Sequence, residues 1–274
     1  MTTARFRAVV LAGERPGGST LCRELDLPAG VLAPLAGRSC ILRVMDALDA
    51  AERVQGIVLC GPARQVIGSD PGLSLQLRRA DVDWRAPDTG PAASAAAAAR
   101  ACGHYPLLLT SGDHGLLEGG VVDTFCADAL AAGEGVDVVV GLVPHLLVAR
   151  AFPQSRRTVL RFADGAYCGS NLFALLGPAS VRALVFWSSV EADRKRPWRV
   201  ARRLGAFTLL RYLLRRLPVD DAFAILSERA GCRVSWIPVE SARAAVDVDS
   251  QADWRLADRL LAAGEASRRG DGSR

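Results

Sequence analysis

Short apolar segments alternate with helix-forming segments through the first half of the chain, and this alternation constrains the fold more than any other feature. The apolar segments have the length of β-strands, and several end at glycine or proline. The segments between them carry either apolar residues at helical spacing or a run of alanines, which are typical of α-helices. Strands that alternate with helices predict an α/β fold with a mostly parallel sheet flanked by helices. The predicted strands are 6–12, 54–60, 81–84, 106–110 and 136–143, and the predicted helices are 39–50, 92–101 and 121–132.

The predicted sheet has an edge at which ligands are expected. In open parallel sheets, ligands bind beyond the carboxyl ends of the strands. The first strand is followed by a glycine-rich loop at 13–18, and the strand 106–110 is followed by Ser111, Gly112 and Asp113. We therefore expect the loop and Asp113 to lie at the same edge.

The loop after the first strand has the composition of a phosphate-binding loop. Its glycines allow backbone N–H groups to approach phosphate oxygens, and Arg15 can neutralise their charge. The pattern is neither a Walker A loop nor G-x-G-x-x-G. Glycine-rich turns after strands are common, so the loop alone leaves both interpretations open. The candidate contacts to a nucleotide are Leu11, Ala12, Gly13, Glu14, Arg15 and Gly17.

Composition limits the class of protein. The length of 274 residues fits one large α/β domain or a domain with an insertion. The formal net charge of +5 is modest and suits an acidic phosphorylated substrate. This charge does not by itself imply nucleic acid, and we expect small phosphorylated partners and no nucleic acid.

The sequence also argues against several other arrangements. It has no apolar stretch long enough for a transmembrane helix and no signal-peptide pattern. Its seven cysteines include no C-x-x-C pair, and its three histidines are isolated, so we expect neither a disulfide framework nor a zinc site. Free thiols predict a reducing, cytoplasmic location.

Five sequence blocks, in order, carry a resemblance to a known family. The blocks are 11–18, 32–38, 109–113, 169–173 and 246–253. Together they resemble the MobA-like nucleotidyltransferases, which show an L-A-G-G-x-G-x-R-type loop followed by a K-x-L-x-P-x-x-G-[KR]-P-type segment. Their later blocks are an aspartate after a strand, a G-x-N-x-[FY] segment and a closing [ND]-[IV]-[ND]-T-P-x-D motif. The resemblance implies a Rossmann-like, GT-A-type fold.

The resemblance also implies a reaction. A nucleoside monophosphate would pass from an NTP to a small phosphorylated sugar or alcohol, with release of pyrophosphate. The implied catalytic residues are Arg15, Asp113 and Asp249. The implied cofactor is Mg²⁺, held by Asp113 and Asp249, with Asp247 as the alternative second ligand. Each aspartate also has a simpler interpretation, because aspartate is common in turns and just before helices.

Further binding residues follow from the same resemblance. Family members contact the base and ribose at the positions of Thr89, Gly90 and Ser94. The alternative is that this segment is simply the start of a helix. The residues expected to face the second substrate are Arg157, Asn171 and Lys195. For Arg157, which belongs to the basic cluster 156–158, a solvated loop is the alternative.

Two positions depart from the family pattern. Glu14 stands where relatives usually have a second glycine, and Gly30 stands where a lysine is expected, four residues before Pro34. That lysine normally helps to neutralise the transferred phosphate, and Arg15 or Arg38 would be an imperfect replacement. The departures leave two alternatives: an active enzyme with a different cation, or a weak or inactive nucleotide-binding protein. A nucleotide-sugar glycosyltransferase is a third interpretation, because enzymes of the same fold class use a nucleotide-sugar and a metal-binding carboxylate.

The C-terminal half contains a basic helical insertion. We predict one nucleotidyltransferase-like domain over 1–266, with an insertion at 191–230 and a flexible tail at 267–274. Within the insertion, Phe207, Leu210, Leu214 and Leu217 are predicted to share one apolar stripe. The basic segment 194–217 could lie on the inner face of a membrane. Alternatively, its helix packs on its own domain or on a partner in a homodimer.

Overall fold

The computed structural model describes residues 4–14, 18–193 and 205–271. In this part of the chain, eight strands form one mixed sheet: β1 (Phe6–Leu11), β4 (Val54–Cys60), β5 (Val82–Arg85), β6 (Leu107–Ser111), β7 (Val138–Pro144), β8 (Leu160–Arg161), β9 (Ala166–Leu175) and β10 (Val234–Pro238). Their order is β10-β7-β9-β6-β1-β4-β5, and β8 pairs with β9. β9 is antiparallel to β6, β7 and β8, and the other pairings are parallel.

Helices cover both faces of this sheet, so the predicted α/β fold with a mostly parallel sheet is confirmed. A short antiparallel ribbon of β2 (Pro34–Leu35) and β3 (Arg38–Ser39) lies outside it. The helices are α1 (Thr20–Glu24), α2 (Cys40–Asp49), α3 (Arg64–Ile67), α4 (Pro71–Gln76), α5 (Pro91–Cys102), α6 (Gly119–Ala131), α7 (His145–Ala151), α8 (Ser180–Asp193), α9 (Ala206–Leu213), α10 (Val219–Ala230) and α11 (Gln251–Asp271), with 3₁₀ turns at Gly30–Leu32 and Ala242–Ala245.

The two faces of the sheet carry separate apolar cores. Side chains alternate along a strand, so Phe6, Ala8 and Val10 of β1 enter one core and Val9 enters the other. The larger core includes α2 and α6, and the smaller one includes the alanines of α5. The small side chains of α5 allow the helix to lie close to β1 and β4.

α5 starts and ends as its sequence predicts. Pro91 occupies the first turn, where its missing N–H costs no hydrogen bond, and Gly103 ends the helix with φ +65°. Since the helix follows β5 and leads into β6, it runs antiparallel to the parallel strands. Its start therefore lies at their carboxyl edge and its end at the opposite edge.

The structure contradicts the apolar stripe that was predicted within the segment 194–217. Phe207, Leu210 and Leu214 are exposed, whereas Leu217 is buried, so the four residues do not share one face. The physical reason is that α9 ends at Leu213 and the backbone turns at Arg215, where φ is +53°. Only part of the predicted stripe is therefore helical.

The last helix extends into the segment 267–274, which was predicted to be a flexible tail. α11 continues to Asp271 and includes the first residues of the predicted flexible tail. The division of the chain into one domain with an insertion at 191–230 stays a prediction. No helix in the described part of the chain is long and apolar enough to cross a membrane.

All seven cysteines are free thiols. Six are buried and Cys102, the last residue of α5, is partly exposed. Burial raises the pKa of Cys60 to about 11 and that of Cys126 to about 12. These thiols contribute to the cores as small apolar groups.

Candidate functional site

Three loops meet at the carboxyl edge of the sheet. The Gly112 N–H donates to the Leu11 carbonyl over 2.8 Å. A Cβ on Gly112 would lie 3.1 Å from the Cβ of Ala12, and a Cβ on Gly13 would lie 2.9 Å from the Cβ of Pro87. The structure therefore brings the start of the glycine-rich loop, the segment after β6 and the loop before α5 into direct contact.

The loop before α5 holds the residues expected to contact base and ribose. The Ser94 side chain is buried, and its Oγ accepts from the Asp88 N–H over 2.8 Å. Thr89 is exposed, and Gly90 caps α5 with an extended backbone. A Gly90 Cβ would lie 3.4 Å from the Glu191 carboxylate of α8. The Thr89 side chain is thus exposed to solvent, while the buried Ser94 hydroxyl stabilises the loop through its bond to Asp88.

Three carboxylates, Asp113, Asp247 and Asp249, define what we call the acid corner. The Val248 N–H donates to the Asp113 carbonyl over 3.0 Å, which ties the loop before α11 to the end of β6. Burial raises the pKa of Asp247 well above its usual range, the charges of Asp113 and Asp249 raise it further, and Arg157 opposes them. The structure therefore gathers the two aspartate motifs that are far apart in sequence.

Asn171 connects the acid corner to the sheet. Its Nδ2 donates to Asp247 Oδ1 over 2.6 Å and to Ser111 Oγ over 3.1 Å. Asn171 has φ +51°, a left-handed conformation that asparagine adopts more readily than most residues. It lies where the register between β7 and β9 shifts. This local irregularity lets a strand residue direct its amide at Asp247.

Arg157 holds the same loop from the other side. Its guanidinium donates from Nη1 to the Asp247 carbonyl over 3.1 Å, from Nε to Ser155 Oγ over 3.0 Å, and from Nη2 to Asp253 in an ion pair. The side chains of this pair are 10% and 15% exposed. Ser250 Oγ donates to the other Asp253 oxygen over 2.6 Å. In this structure Arg157 therefore fixes the loop that carries Asp247, and its expected contact with a second substrate stays a prediction.

The carboxylates of the acid corner suit a Mg²⁺ ion that takes some of its ligands from the protein and the others from substrate phosphates. Magnesium prefers oxygen ligands and is commonly held by one or two carboxylates together with substrate phosphates. In the described ranges, no three His, Cys, Asp or Glu side chains are arranged to hold a metal ion by themselves. Asp113 with one of the 247–249 pair would supply two ligands and leave the others to a bound triphosphate.

The two departures from the family pattern touch each other. We call this place, residues 11–14 with Gly30, the loop corner. Glu14 Oε2 accepts from the Gly30 N–H over 2.8 Å, and the Cys22 thiol donates to the same oxygen over 3.3 Å. A Cβ on Gly30 would lie 3.3 Å from Ser19 Oγ and 3.6 Å from Glu14 Oε2. A carboxylate thus lies beside the position at which the family pattern places a cation.

Few of the described residues could supply the positive charge that the family pattern places at position 30. Arg38 forms a two-pronged ion pair with Asp46, at 2.5 and 2.6 Å. The other candidate, Arg15, lies outside the described residues, and so do Gly17 and Lys195. The Arg38 guanidinium is therefore already paired with a carboxylate of α2.

The sequence analysis did not single out two residues that support the acid corner, Ser111 and Asp253. Ser111 accepts from Asn171, and Asp253 binds Arg157. Both stand inside blocks that were recognised, at 109–113 and 246–253. Their positions in those blocks were the available signal, but a partner distant in sequence determines the role of each.

Similar proteins of known structure share this architecture. A hypothetical transferase from Thermus thermophilus is 27% identical, with a TM-score of 0.75, and the match covers 91% of this chain and 99% of that one. CMP:2-keto-3-deoxy-manno-octonic acid synthetase, solved in complex with CTP, is 11% identical, with a TM-score of 0.57, and the match covers 96% of this chain and 100% of that one.

A third similar structure is 4-diphosphocytidyl-2C-methyl-D-erythritol synthase from Anaerococcus prevotii. It is 12% identical, with a TM-score of 0.55, and the match covers 94% of this chain and 96% of that one. At such identity the last two structures show a shared fold alone. No curated protein matches the sequence significantly.

The family model that describes the MobA-like NTP transferase domain matches residues 8–178. This range contains the glycine-rich loop, Asp113 and Asn171, whereas the Asp247–Asp249 segment follows it. On this match, and with the fold and the order of its blocks in agreement, the chain belongs to the MobA-like NTP transferase domain family of nucleotidyltransferases.

Proposed function

We propose that this protein is a magnesium-dependent nucleotidyltransferase that acts on a small phosphorylated sugar or alcohol. It would transfer a nucleoside monophosphate from an NTP to the acceptor phosphate and release pyrophosphate. The observation that carries the proposal is the contact between the glycine-rich loop and the segment that ends in Asp113, with Asp247 and Asp249 beside it.

The chemistry requires positioning more than covalent participation by the protein. An oxygen of the acceptor phosphate attacks the α-phosphorus of the NTP in line. The new P–O bond forms as the bond from the α-phosphorus to the bridging oxygen breaks, and that oxygen leaves with pyrophosphate. Backbone N–H groups at 12–14 would bind phosphate oxygens, and the loop 87–90 would lie against the nucleoside.

Mg²⁺, when bound, neutralises charge on the reacting phosphates. Asp113 would hold it together with Asp249 or Asp247. Asp247 is the better oriented of the two, because Asn171 and Arg157 fix its side chain and its backbone, whereas Asp249 is exposed.

A second function is favoured by one specific observation. The Glu14 carboxylate lies beside Gly30, so the corner that would neutralise the transferred phosphate carries a negative side chain in the described residues. Anions repel at short range when they are partly removed from water. This arrangement supports a protein that binds nucleotide through the acid corner and turns it over slowly or not at all.

A nucleotide screen tests both functions. We expect one of the four NTPs to raise the melting temperature in the presence of Mg²⁺, because a ligand that binds only the folded state stabilises it. The same NTP, incubated with a panel of phosphorylated sugars and alcohols, should release pyrophosphate. Omission of Mg²⁺, with EDTA present, is the control for each measurement.

The outcomes separate the alternatives. Stabilisation without pyrophosphate release from any acceptor would support the binding protein and contradict the transferase. Release of a nucleoside diphosphate from a nucleotide-sugar, with no pyrophosphate chemistry, would indicate a glycosyltransferase. No stabilisation by any NTP would contradict both nucleotide-binding proposals.

A further inference from the structure

Helix α8 ends at the candidate site. β9 runs antiparallel to β6 and β7, so α8, which follows it, starts at the edge opposite to the candidate site and ends at the carboxyl edge of the parallel strands. It packs against α5, which runs the other way. Accordingly, Arg100 near the end of α5 lines a shallow cleft with Val181 and Arg182 at the start of α8. The last turn of α8 therefore lies beside the first turn of α5 and the loop 87–90.

Glu191, in the last turn of α8, contacts this loop. Its Oε2 accepts a long hydrogen bond from the Ala92 N–H, over 3.4 Å, and a Cβ on Gly90 would lie 3.4 Å from the same oxygen. Gly90 caps α5 without a side-chain hydrogen bond, and the first turn of α5 contains no acidic residue. The Glu191 carboxylate thus takes the place of a capping side chain, where the partial positive charge of the helix end favours an anion.

The contact with Ala92 leaves most of the hydrogen-bonding capacity of this carboxylate unused. A carboxylate offers roughly four acceptor sites on its two oxygens. Within the ranges 4–14, 18–193 and 205–271, Glu191 accepts one hydrogen bond, forms no ion pair, and has no partner at Oε1. The side chain is partly buried. Its carboxylate is therefore available to a donor group of a ligand that binds against the loop.

Glu191 lies outside the part of the chain that the family model matches. That match ends at residue 178, and α8 starts at Ser180. The loop 87–90 lies within the match. A residue from the C-terminal third of this chain thus reaches a loop of the family domain.

We propose that Glu191 determines which nucleoside the site accepts, by accepting a hydrogen bond from the nucleoside of the bound NTP. This inference rests on the proposed function, which puts the nucleoside against the loop 87–90. A carboxylate repels phosphate and accepts hydrogen bonds, so the donor is a ribose hydroxyl or an amino group of the base. Acidic side chains form both pairings elsewhere, with the ribose 2′-hydroxyl in dinucleotide sites and with the amino group of cytosine in DNA.

Affinity ratios measured by calorimetry in the presence of Mg²⁺ test the inference. In the ribose arm, the preferred NTP is compared with its 2′-deoxy and 3′-deoxy analogues. In the base arm, it is compared with the analogue that lacks the amino group, which is UTP for CTP, ITP for GTP and purine riboside triphosphate for ATP. If UTP is preferred, the ribose arm alone applies. We expect the parent protein to bind the NTP roughly 10-fold to 100-fold more tightly than the analogue that lacks the donor, as for a hydrogen bond to a charged group.

The variants separate recognition from helix capping. E191A should bind the NTP and that analogue with nearly equal affinity, whereas E191Q keeps an acceptor oxygen and should retain part of the discrimination. A lost cap lowers the melting temperature and weakens binding of every nucleotide alike, so it leaves the ratio unchanged. Glu52 is exposed and precedes β4 at the opposite edge of the sheet, so E52A is the matched control and should keep the ratio of the parent protein.

Three results would overturn the inference and leave the proposed function intact. One is a parent protein that binds an NTP but none of its analogues more weakly. Another is an unchanged ratio in E191A. The third is an equal loss of affinity for the NTP and all its analogues in E191A, which would make Glu191 a helix cap alone. Failure of the parent protein to bind any NTP is a different result, because it would contradict the proposed function and the inference with it.

Discussion

The acid corner and the loop corner lie at the same edge of the sheet but are held in different ways. In the acid corner, Asp247 is fixed by side chains from β9 and from the loop before β8, and its neighbour Val248 bonds to Asp113. In the loop corner, one carboxylate from Glu14 bridges to the backbone of Gly30. The acid corner follows the family motifs, whereas the loop corner departs from them at two positions that contact each other, Glu14 and Gly30.

This difference allows nucleotide binding and nucleotide turnover to be considered separately. Under the proposed function, the acid corner would hold a metal-bound nucleotide, whereas the loop corner carries Gly30 where the family pattern places a lysine near the transferred phosphate. Nucleotide binding and turnover can therefore be tested separately, because the proposal assigns each of them to a different corner.

The largest effect is expected from removal of charge at Asp113. D113N keeps the shape and the backbone bond to Val248 but removes the negative charge, so we expect kcat/KM for pyrophosphate release to fall by ~1,000-fold, about 4 kcal/mol. The exposed Asp128 of α6 offers the matched control D128N. A D113N variant with unchanged activity would remove Asp113 from the proposed mechanism.

Arg157 tests how strongly the acid corner is tied together. R157M leaves Asp253 poorly solvated without its cation, and we expect the free energy of unfolding to fall by about 3 kcal/mol in urea denaturation. The double variant R157M/D253N should lose less than the sum of the single variants, because the uncompensated charge is gone. Additive losses would contradict the coupling.

Asn171 tests positioning of Asp247. N171A should raise the Mg²⁺ concentration for half-maximal activity by about 10-fold to 100-fold, since groups that orient a metal ligand have effects of this size. N171G keeps the left-handed backbone accessible but lacks the amide, so it should show the same shift with less loss of stability. If N171G restores normal Mg²⁺ dependence, the backbone conformation rather than the amide is what matters.

The smallest effect is expected at the loop corner. E14G/G30K restores the family pattern, and we expect it to bind the preferred NTP about 10-fold more tightly than the parent protein, about 1.4 kcal/mol in calorimetry. G30K alone should gain less, because the new ammonium would pair with the Glu14 carboxylate. E24Q, on the exposed side of α1, is the charge control. Equal affinities throughout the series would show that the loop corner does not face a phosphate.

The sequence was informative where structure depends on neighbours along the chain. The positions of Gly13 and Asp113 at one edge follow from the strands that precede them, and the start of α5 follows from Pro91. The bond from Asn171 to Asp247 joins residues 76 positions apart, which no local pattern encodes. Periodicity likewise placed Phe207 and Leu210 on one side of a helix but could not say whether that side faces the core.

The distribution of thiols has a practical consequence for labelling. Cys102 is the only partly exposed cysteine, and it ends α5 roughly 18 Å along the helix from the residues that start it at the candidate site. Burial raises the pKa of its thiol above the usual range, so a maleimide dye should couple best at mildly alkaline pH. One fluorophore attached there, without any engineered cysteine, would report energy transfer to a labelled nucleotide bound at the other end of the helix.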